Sequence, residues 1–221
     1  MEIGLADLVR NRTMSAEIAA TLAGAAAERR SFIVFAGPRL AGKSTVLHAM
    51  LAHAGSDTPI RSVRGEPAEA ARLRSGDGRG YVLIPEITQY AVAEGYIWGA
   101  SVRRVFGALD RGYALAASLH AESVEDAFAQ ICQGCGVPDE QAARIQLAVY
   151  IRSIGDWEAP TRRVVEAVHE IQGVTGGKPR TRTLHLWDEP ADRFVTVNEP
   201  KIVLGDSWAR LARDFGRAAV P

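Results

Sequence analysis

The chain has 221 residues, and its 26 lysine and arginine residues are balanced by 26 aspartate and glutamate residues. This length suffices for one sizeable core. The balanced charge gives no overall electrostatic field that would attract nucleic acid or anionic lipid, so we expect no direct contact with nucleic acid. Because no apolar stretch is long enough to cross a membrane and the first residues lack the pattern of a signal peptide, we predict a cytoplasmic protein without a transmembrane segment.

The first predicted element is an N-terminal helix within residues 1–30. The stretch SAEIAATLAGAAAERR is rich in helix-forming residues, and Ser15 is a suitable N-cap. The apolar run FIVFA follows it, and we predict a buried strand that ends near Ala36.

A glycine-rich loop follows this strand directly. Gly37 and residues 42–44 fit the pattern G-x-x-x-x-G-K-[ST], in which glycines allow a tight turn that aims backbone N–H groups at phosphate. The helical stretch STVLHAMLAHA after the loop supplies the context that the pattern requires. Lys43 would contact the β- and γ-phosphates, and the Ser44 hydroxyl would ligate Mg²⁺. The predicted nucleotide-binding residues are Gly37, Pro38, Arg39, Leu40, Ala41, Gly42, Lys43, Ser44 and Thr45.

Two further buried strands are predicted in the middle of the chain. YVLIPEI (residues 81–87) and YALAASLH (residues 113–120) are continuous apolar runs, which are typical of a parallel sheet covered on both faces. The basic stretch RSVRGEPAEAARLRSGDGRG before the first of them is expected to be a loop. Between the two strands, a helix is predicted to end at Gly112.

Two helices are predicted after the third strand. The stretch SVEDAFAQICQGCG carries Cys132 and Cys135, and because a closed zinc site requires four protein ligands and no second such pair exists, we interpret both as reduced helical cysteines. PDEQAARIQLAVYIRSIG is predicted to be a helix that opens at Pro138 and ends at Gly155.

The apolar pattern then changes to a period of two. RRVVEAVHEI, TRTLHLWD and RFVTVN predict a β-meander in which His169 and His185 face solvent, and DSWARLARDFG predicts a short terminal helix. We therefore assign residues 31–160 to a P-loop core and residues 161–221 to the meander and terminal helix, packed on the core as a single domain overall. The predicted fold class is α/β, with a mostly parallel central sheet flanked by helices and a C-terminal antiparallel β-meander.

Four stretches, in this order, resemble the secretion ATPases that drive type II and type IV secretion, type IV pili and archaella. The helix, strand and P-loop within TMSAEIAATLAGAAAERRSFIVFAGPRLAGKSTVLHAM look like the family's nucleotide-binding start, and VLIPEI is similar to its Walker B strand. GYALAASLHAES resembles its histidine box, and RRVVEAVHEIQGVTGGKPRTRTLHLWDEPADRFV resembles the C-terminal hairpin of the archaeal and tight-adherence branches. The resemblance covers nearly all of the chain and implies a RecA-like ATPase fold.

Two catalytic candidates follow from the chemistry and from this resemblance. Glu86, at the end of a central strand, is placed to orient or deprotonate an attacking water. His120 would contact the γ-phosphate, a role that its family counterpart implies. The alternatives are a solvated strand-end carboxylate for Glu86 and a locally hydrogen-bonded imidazole for His120. The family further implies ATP and Mg²⁺, a homo- or hetero-oligomeric ring of six subunits, and secretion or pilus machinery at the inner membrane.

The sequence also departs from the family's pattern. The family's catalytic domain usually follows an N-terminal domain that supplies arginines, whereas this P-loop begins at Gly37, so we expect that domain to be missing. An acidic pair of the family is replaced by Arg64 and Gly65, and the arginine after the Walker B glutamate by Thr88 and Gln89. Because one arginine finger contributes roughly 10³ to 10⁵ in rate, we expect slower hydrolysis, and nucleotide binding is predicted more strongly than turnover.

Three functions therefore remain open from the sequence. The first is a compact motor subunit of a secretion or type IV pilus-like system. The second is a nucleotide-binding regulator or partner of a full-length secretion ATPase, which hydrolyses ATP poorly. The third is a small-molecule P-loop kinase, for which we find no arginine-rich lid. Arg103 and Arg104 are candidates for replacement arginines, with a solvated helix face as the alternative.

Overall fold

The computed structural model describes residues 3–37, 40–90, 92–156, 159–203 and 205–218. Within these residues, nine strands form one sheet: β1 (Phe32–Ala36), β2 (Ile60–Ser62), β3 (Tyr81–Ile87), β4 (Tyr96–Ile97), β5 (Ala114–His120), β6 (Leu147–Gly155), β7 (Pro160–Thr175), β8 (Lys178–Asp188) and β9 (Arg193–Thr196). The helices are α1 (Leu5–Arg10), α2 (Ala16–Ala27), α3 (Lys43–Leu51), α4 (Pro67–Ser75), α5 (Ala100–Ala108), α6 (Val124–Ala129), α7 (Asp139–Ala142) and α8 (Gly205–Ala218), with a 3-10 turn at Leu109–Arg111 and a π-helical turn at Gln130–Gly134.

The sheet is mixed, with a parallel half and an antiparallel half. The strand order is β2-β3-β5-β1-β6-β7-β8-β9, and the short strand β4 pairs with the carboxyl end of β3, whereas β2 pairs with its beginning. β2, β3, β5, β1 and β6 run parallel, whereas β6 through β9 are antiparallel neighbours. Strand β1 therefore lies inside the parallel half, and ligands of such sheets bind outside the carboxyl ends of the strands.

Helices cover both faces of the sheet. On one face α1, α2, α3 and α8 pack around Phe32 and Met50, and on the other α4, α5, α6 and α7 pack around Phe106 and Phe128. All five residues of β1 are buried, as a strand covered on both faces requires. No helix in the described ranges is long and apolar enough to cross a membrane.

Most predicted elements of the parallel half are confirmed. Strand β1 ends at Ala36, and β3 and β5 coincide with the two other predicted buried strands. The Ser15 side chain accepts a hydrogen bond from the N–H of Ile18 at 3.3 Å, as expected of an N-cap. The predicted helix before β5 is α5, and the turn that follows it ends at Gly112 in a left-handed conformation. Cys132 and Cys135 are free thiols at the end of the predicted helix.

The helix predicted for residues 138–155 is wrong. Only Asp139–Ala142 are helical, and Leu147–Gly155 form strand β6. β6 pairs with β1 on one side and with β7 on the other, and its residues Val149 and Ile151 are fully buried. Cross-strand packing on both sides therefore decides the structure here, against a helical preference that extends only over the first turn.

The loop predicted for residues 61–80 is also wrong, because it contains part of β2 and the helix α4. Pro67 occupies the first turn of α4. Backbone N–H groups in the first turn have no acceptor within the helix, so the N–H that proline lacks costs no hydrogen bond there. Glu66 and Glu69 form a capping box at the same end. Two of the basic residues, Arg72 and Arg74, lie on the exposed side of this helix, which buries Ala70 and Leu73.

The prediction that His185 faces solvent is wrong. His185 lies on β8 with 1% of its surface exposed, because α2 covers this part of the sheet. Its Nε2 lies 2.8 Å from Thr21 Oγ1 and its Nδ1 lies 3.1 Å from Thr196 Oγ1. Burial lowers the pKa of His185 to about 4, since a charged imidazole would lose its hydration there.

Candidate nucleotide-binding site

The predicted P-loop connects the carboxyl end of β1 to the start of α3. Gly42 is the N-cap residue of α3 and has φ +90°, a left-handed conformation that favours glycine. Leu40 has φ +62°, which costs a residue with a Cβ atom about 1–2 kcal/mol. Pro38 and Arg39, which the sequence also assigned to the loop, lie outside the described residues. The loop and the N-terminal end of α3 together fit an anionic ligand.

Three of the predicted residues meet beneath this loop. Lys43 Nζ lies 3.6 Å from Glu86 Oε1 and 3.0 Å from His120 Nε2. His120 Nε2 lies 3.8 Å from Glu86 Oε1. The Lys43 and Glu86 side chains are 7% and 6% exposed, so Glu86 is not the solvated strand-end carboxylate of the alternative interpretation.

The strand register explains why these residues converge. β3, β5 and β1 are adjacent parallel strands, and their carboxyl ends share one edge of the sheet. Glu86 is the penultimate residue of β3, and His120 is the last residue of β5, opposite Ala36 at the end of β1. Lys43 reaches the same edge from the first residue of α3. Residues far apart in the sequence are thus brought to one point by parallel pairing.

The His120 ring contacts both the P-loop backbone and Lys43. Nδ1 lies 3.1 Å from the carbonyl oxygen of Gly37, which can only accept, and Nε2 lies 3.0 Å from the Lys43 ammonium, which can only donate. Lys43 Nζ also lies 3.3 Å from Nδ1, so the ammonium group is close to both ring nitrogens. His120 therefore connects the first residue of the P-loop to the ammonium group of Lys43.

Within the described residues, Glu86 is hydrogen-bonded through one carboxylate oxygen, while the other lies beside the Lys43 ammonium group. Ser118 Oγ lies 2.7 Å from Glu86 Oε2 and 2.6 Å from the carbonyl oxygen of Pro85, and its single proton can serve only one of these acceptors at a time. The other carboxylate oxygen, Oε1, is buried and has no hydrogen-bond partner among the described residues. A buried acceptor without a donor fits a site that holds a water or another ligand there.

A cavity of about 1320 Å³ opens above this cluster. Ligand pockets for drug-sized molecules are typically about 300–1,000 Å³, so the space is sufficient for a nucleoside triphosphate. Residues 40–46 of the loop and α3 form its floor together with Glu86 and His120, and apolar side chains form its walls, among them Leu8, Tyr90 and Ile151. The cradle, the buried ammonium group and the cavity fit ATP, and the Ser44 hydroxyl in the lining fits Mg²⁺, which usually takes one or two protein oxygens besides phosphate and water.

Sequence reasoning missed Arg163, which lies on β7 and lines the cavity. Its Nε donates a hydrogen bond to the carbonyl oxygen of Leu40 at 2.8 Å, so it contacts the P-loop from outside. The sequence RRVV places Arg162 and Arg163 next to each other on a strand, and successive side chains of a strand point to opposite faces. The proximity of Arg163 to the P-loop could not be inferred, because β6 lies between β1 and β7 in the sheet and was predicted as a helix.

The two arginines proposed as replacements do not lie in the cavity lining. Arg104 donates to the carbonyl oxygen of Gly65 at 3.0 Å and to Ser101 Oγ at 2.9 Å, which binds α5 to the segment after β2. Arg64, at the position of the family's acidic pair, forms an ion pair with Glu94. Within the described residues, the arginine that approaches the P-loop is therefore Arg163.

The sequence matches no family model and no curated protein. Similar solved structures include the VirB11 ATPase of the Brucella suis type IV secretion system, with 20% identity and a TM-score of 0.47, covering 70% of this chain and 52% of that one. The ATPase DotB of Legionella pneumophila has 10% identity and a TM-score of 0.39, covering 86% of this chain and 50% of that one. DotB of Yersinia pseudotuberculosis has 11% identity and a TM-score of 0.43, covering 90% and 50%. This chain thus spans about half the length of each, and what its site can bind follows from its own geometry.

Proposed function

We propose that the chain binds MgATP in the cavity above β1 and hydrolyses it, as a motor subunit of a secretion or type IV pilus-like assembly system. The observation that carries the proposal is the meeting of Lys43, Glu86 and His120 beneath a loop with the P-loop sequence. Each of the three bears a group that phosphoryl transfer requires: a cation for the phosphates, a base for the water and a polar contact for the γ-phosphate.

Binding would begin with a change of partner for Lys43. In the structure its ammonium group lies between Glu86 and His120. The triphosphate offers this cation a more highly charged acceptor, so we expect Lys43 to turn toward the β- and γ-phosphates. Glu86 then loses the positive charge beside Oε1, and this carboxylate oxygen becomes available to a water. Substrate binding and activation of the base are thus coupled through Lys43.

Glu86 would then hold and deprotonate the attacking water. Ser118 fixes Oε2 at 2.7 Å, so the direction of Oε1 is defined by a second group on the neighbouring strand. His120 would contact the γ-phosphate by donating a ring N–H, because phosphate oxygens only accept hydrogen bonds. Mg²⁺, held by the Ser44 hydroxyl, would neutralise charge on the β- and γ-phosphates.

The rim of the cavity supports an oligomeric form. Leu40, Tyr90 and Val92 line the cavity and are 65%, 73% and 67% exposed. A neighbouring subunit that covers these side chains would also exclude water from the phosphates. We therefore propose a homo- or hetero-oligomeric ring, with six subunits as in the family that the sequence resembles, acting on secretion or pilus machinery at the cytoplasmic face of the inner membrane.

A second candidate function is a nucleotide-binding regulator that hydrolyses ATP poorly. The position of Arg64 favours it, because the family's acidic pair is replaced here by a cation that is already paired with Glu94. Only one carboxylate, Glu86, lines the cavity within the described residues. A site with one carboxylate can still bind MgATP through the loop and Ser44, whereas water activation then depends entirely on Glu86.

Mg²⁺-dependent ATP binding and turnover, measured across protein concentration, test the proposal. Turnover that rises with concentration and disappears in Lys43→Ala and Glu86→Gln supports an oligomeric ATPase. Glu94→Gln is the matched control, since Glu94 is an exposed glutamate outside the cavity lining. Binding without turnover supports the regulator. Failure of the wild-type protein to bind MgATP, or unchanged affinity in Lys43→Ala, would refute both functions.

A further inference from the structure

We propose that Arg163 is a positioning residue for the P-loop, which holds Leu40 in the backbone conformation that phosphate binding requires. The inference rests on the proposed function, because it concerns the same nucleotide site. It assigns to the antiparallel half of the sheet a direct part in preparing the loop. The argument depends on the strain at Leu40, on the contact that Arg163 makes and on the rigidity of the strand that carries it.

Leu40 requires an external contact to keep its conformation. Its φ of +62° lies in the left-handed region, which residues other than glycine, asparagine and aspartate occupy rarely. The Leu40 side chain is 65% exposed, so it has little packing of its own to compensate for the strain. A backbone held in such a conformation persists only where its surroundings determine it.

Arg163 supplies a contact of this kind. Its Nε donates to the carbonyl oxygen of Leu40 at 2.8 Å, and hydrogen bonds from a charged donor are stronger than those between neutral groups. The same side chain lies against the second left-handed residue of the loop, because a Cβ atom at Gly42 would be 3.1 Å from Arg163 Cδ. One side chain thus touches both left-handed positions in the described part of the loop.

The contact uses a group of the loop that phosphate does not use, the carbonyl oxygen of Leu40. In a backbone nest, successive N–H groups converge on the anion, and a phosphate competes for those donors, not for the carbonyl oxygens. A guanidinium group bonded to a loop carbonyl can therefore stabilise the nest while leaving its N–H groups to the ligand. Arg163 itself is carried by β7, where it pairs with Ser153 of β6, so its backbone is fixed by the sheet.

The test compares Arg163→Ala with Arg180→Ala by isothermal titration calorimetry at fixed ionic strength. Arg180 is the matched control, since it is an exposed arginine on β8 that donates one hydrogen bond to a backbone carbonyl, that of Gln172. The ligands are MgATP and magnesium tripolyphosphate, which carries phosphates without a nucleoside. We expect Arg163→Ala to bind both ligands about tenfold more weakly, as expected for loss of one charge-assisted hydrogen bond, with an unchanged urea unfolding midpoint. We expect Arg180→Ala to bind both as the wild type does.

Three results would overturn the inference. Unchanged affinity of Arg163→Ala for both ligands would show that the loop does not need the contact. Weaker binding of MgATP with unchanged tripolyphosphate affinity would place Arg163 at the nucleoside instead. Affinity as low in Arg163→Gln as in Arg163→Ala would show that the charge acts without positioning, because glutamine keeps an N–H donor and loses the charge. If the wild-type protein binds neither ligand, the proposed function fails and the inference fails with it, whereas wild-type binding with unchanged affinity in Arg163→Ala overturns the inference alone.

Discussion

Lys43 and Glu86 are buried beside each other, and the charge of Glu86 is expected to depend on Lys43 for compensation. At 3.6 Å, two unit charges in an effective dielectric of about 20 attract each other by about 5 kcal/mol. The desolvation of both groups offsets much of this attraction, so the pair as a whole contributes little net free energy of folding. Removal of Lys43, however, takes away the cation beside the buried Glu86 carboxylate.

The two single substitutions are expected to differ. Lys43→Met leaves Glu86 with Ser118 as a donor to Oε2 and with no donor to Oε1 among the described residues, and should lower the free energy of unfolding by about 3–5 kcal/mol. Glu86→Gln leaves the Lys43 ammonium with the acceptor Nε2 of His120 at 3.0 Å, and should cost about 1–2 kcal/mol. The double variant should lose less than the sum, which gives a coupling energy of about 2 kcal/mol.

Urea unfolding of the four proteins at pH 7 without nucleotide measures this cycle. The ion pair of Arg193 and Asp188 is the control, since its side chains are 70% and 33% exposed and its coupling should stay below about 1 kcal/mol. Strictly additive losses for Lys43→Met and Glu86→Gln would refute the reasoning, because they would mean that the two charges do not compensate each other in the folded protein.

Three further outcomes follow from single side chains. The folded-state pKa of His185 is about 4 against 6.5 for an unperturbed histidine, so the unfolded chain binds the proton first and stability falls by about 3 kcal/mol as pH drops from 6.5 to 4. His185→Gln should reduce this slope in urea titrations, and an unchanged slope would contradict the assignment. Ser118→Ala should lower kcat about tenfold through loss of its hydrogen bond to Glu86, while KM for ATP stays unchanged. Ser118→Thr keeps the hydroxyl group and should restore kcat. A change in KM alone would contradict this positioning role. Gly42→Ala, at φ +90°, should weaken ATP binding about tenfold. In Gly37→Ala the atoms nearest to the new Cβ belong to the exposed Glu122 carboxylate, which can move, so this variant should remain within about twofold of wild type in calorimetry. Equal losses would contradict the strain argument.

The parts of the site that are marked by local sequence patterns, such as apolar runs and the glycine pattern, were predictable from the sequence. The run FIVFA fixed the end of β1, the glycine pattern placed Lys43, and two apolar runs placed Glu86 and His120 at strand ends. Parallel pairing then brings such ends together, so their proximity needed no further information. The burial of His185 was not predictable in this way, because an alternating strand shows which residues share a face but not that α2 covers it.

Arg163 shows the physical reason why the remainder of the site was hidden. Its part in the site depends on the pairing of β6 with both β1 and β7, and residues 138–155 carry local signals for helix at their start and for strand afterwards. A wrong element at this point removes the connection between the P-loop and the C-terminal strands. The correct pairing joins them, since β1 carries the loop and β7 carries the arginine that contacts Leu40.

This connection has a thermodynamic consequence for the proposed motor. If Arg163 stabilises the phosphate-binding form of the loop, then phosphate binding must stabilise the contact between β7 and the loop by the same factor, because coupling between two equilibria is reciprocal. Any subunit or partner that displaces β7 would therefore weaken nucleotide binding, and nucleotide would oppose that displacement. Hydrogen exchange of the β7 amides around Arg163, compared with and without MgATP, should show greater protection with nucleotide in the wild type and a smaller gain in Arg163→Ala. Equal gains in the two proteins would show that the loop and the antiparallel half of the sheet respond to nucleotide independently.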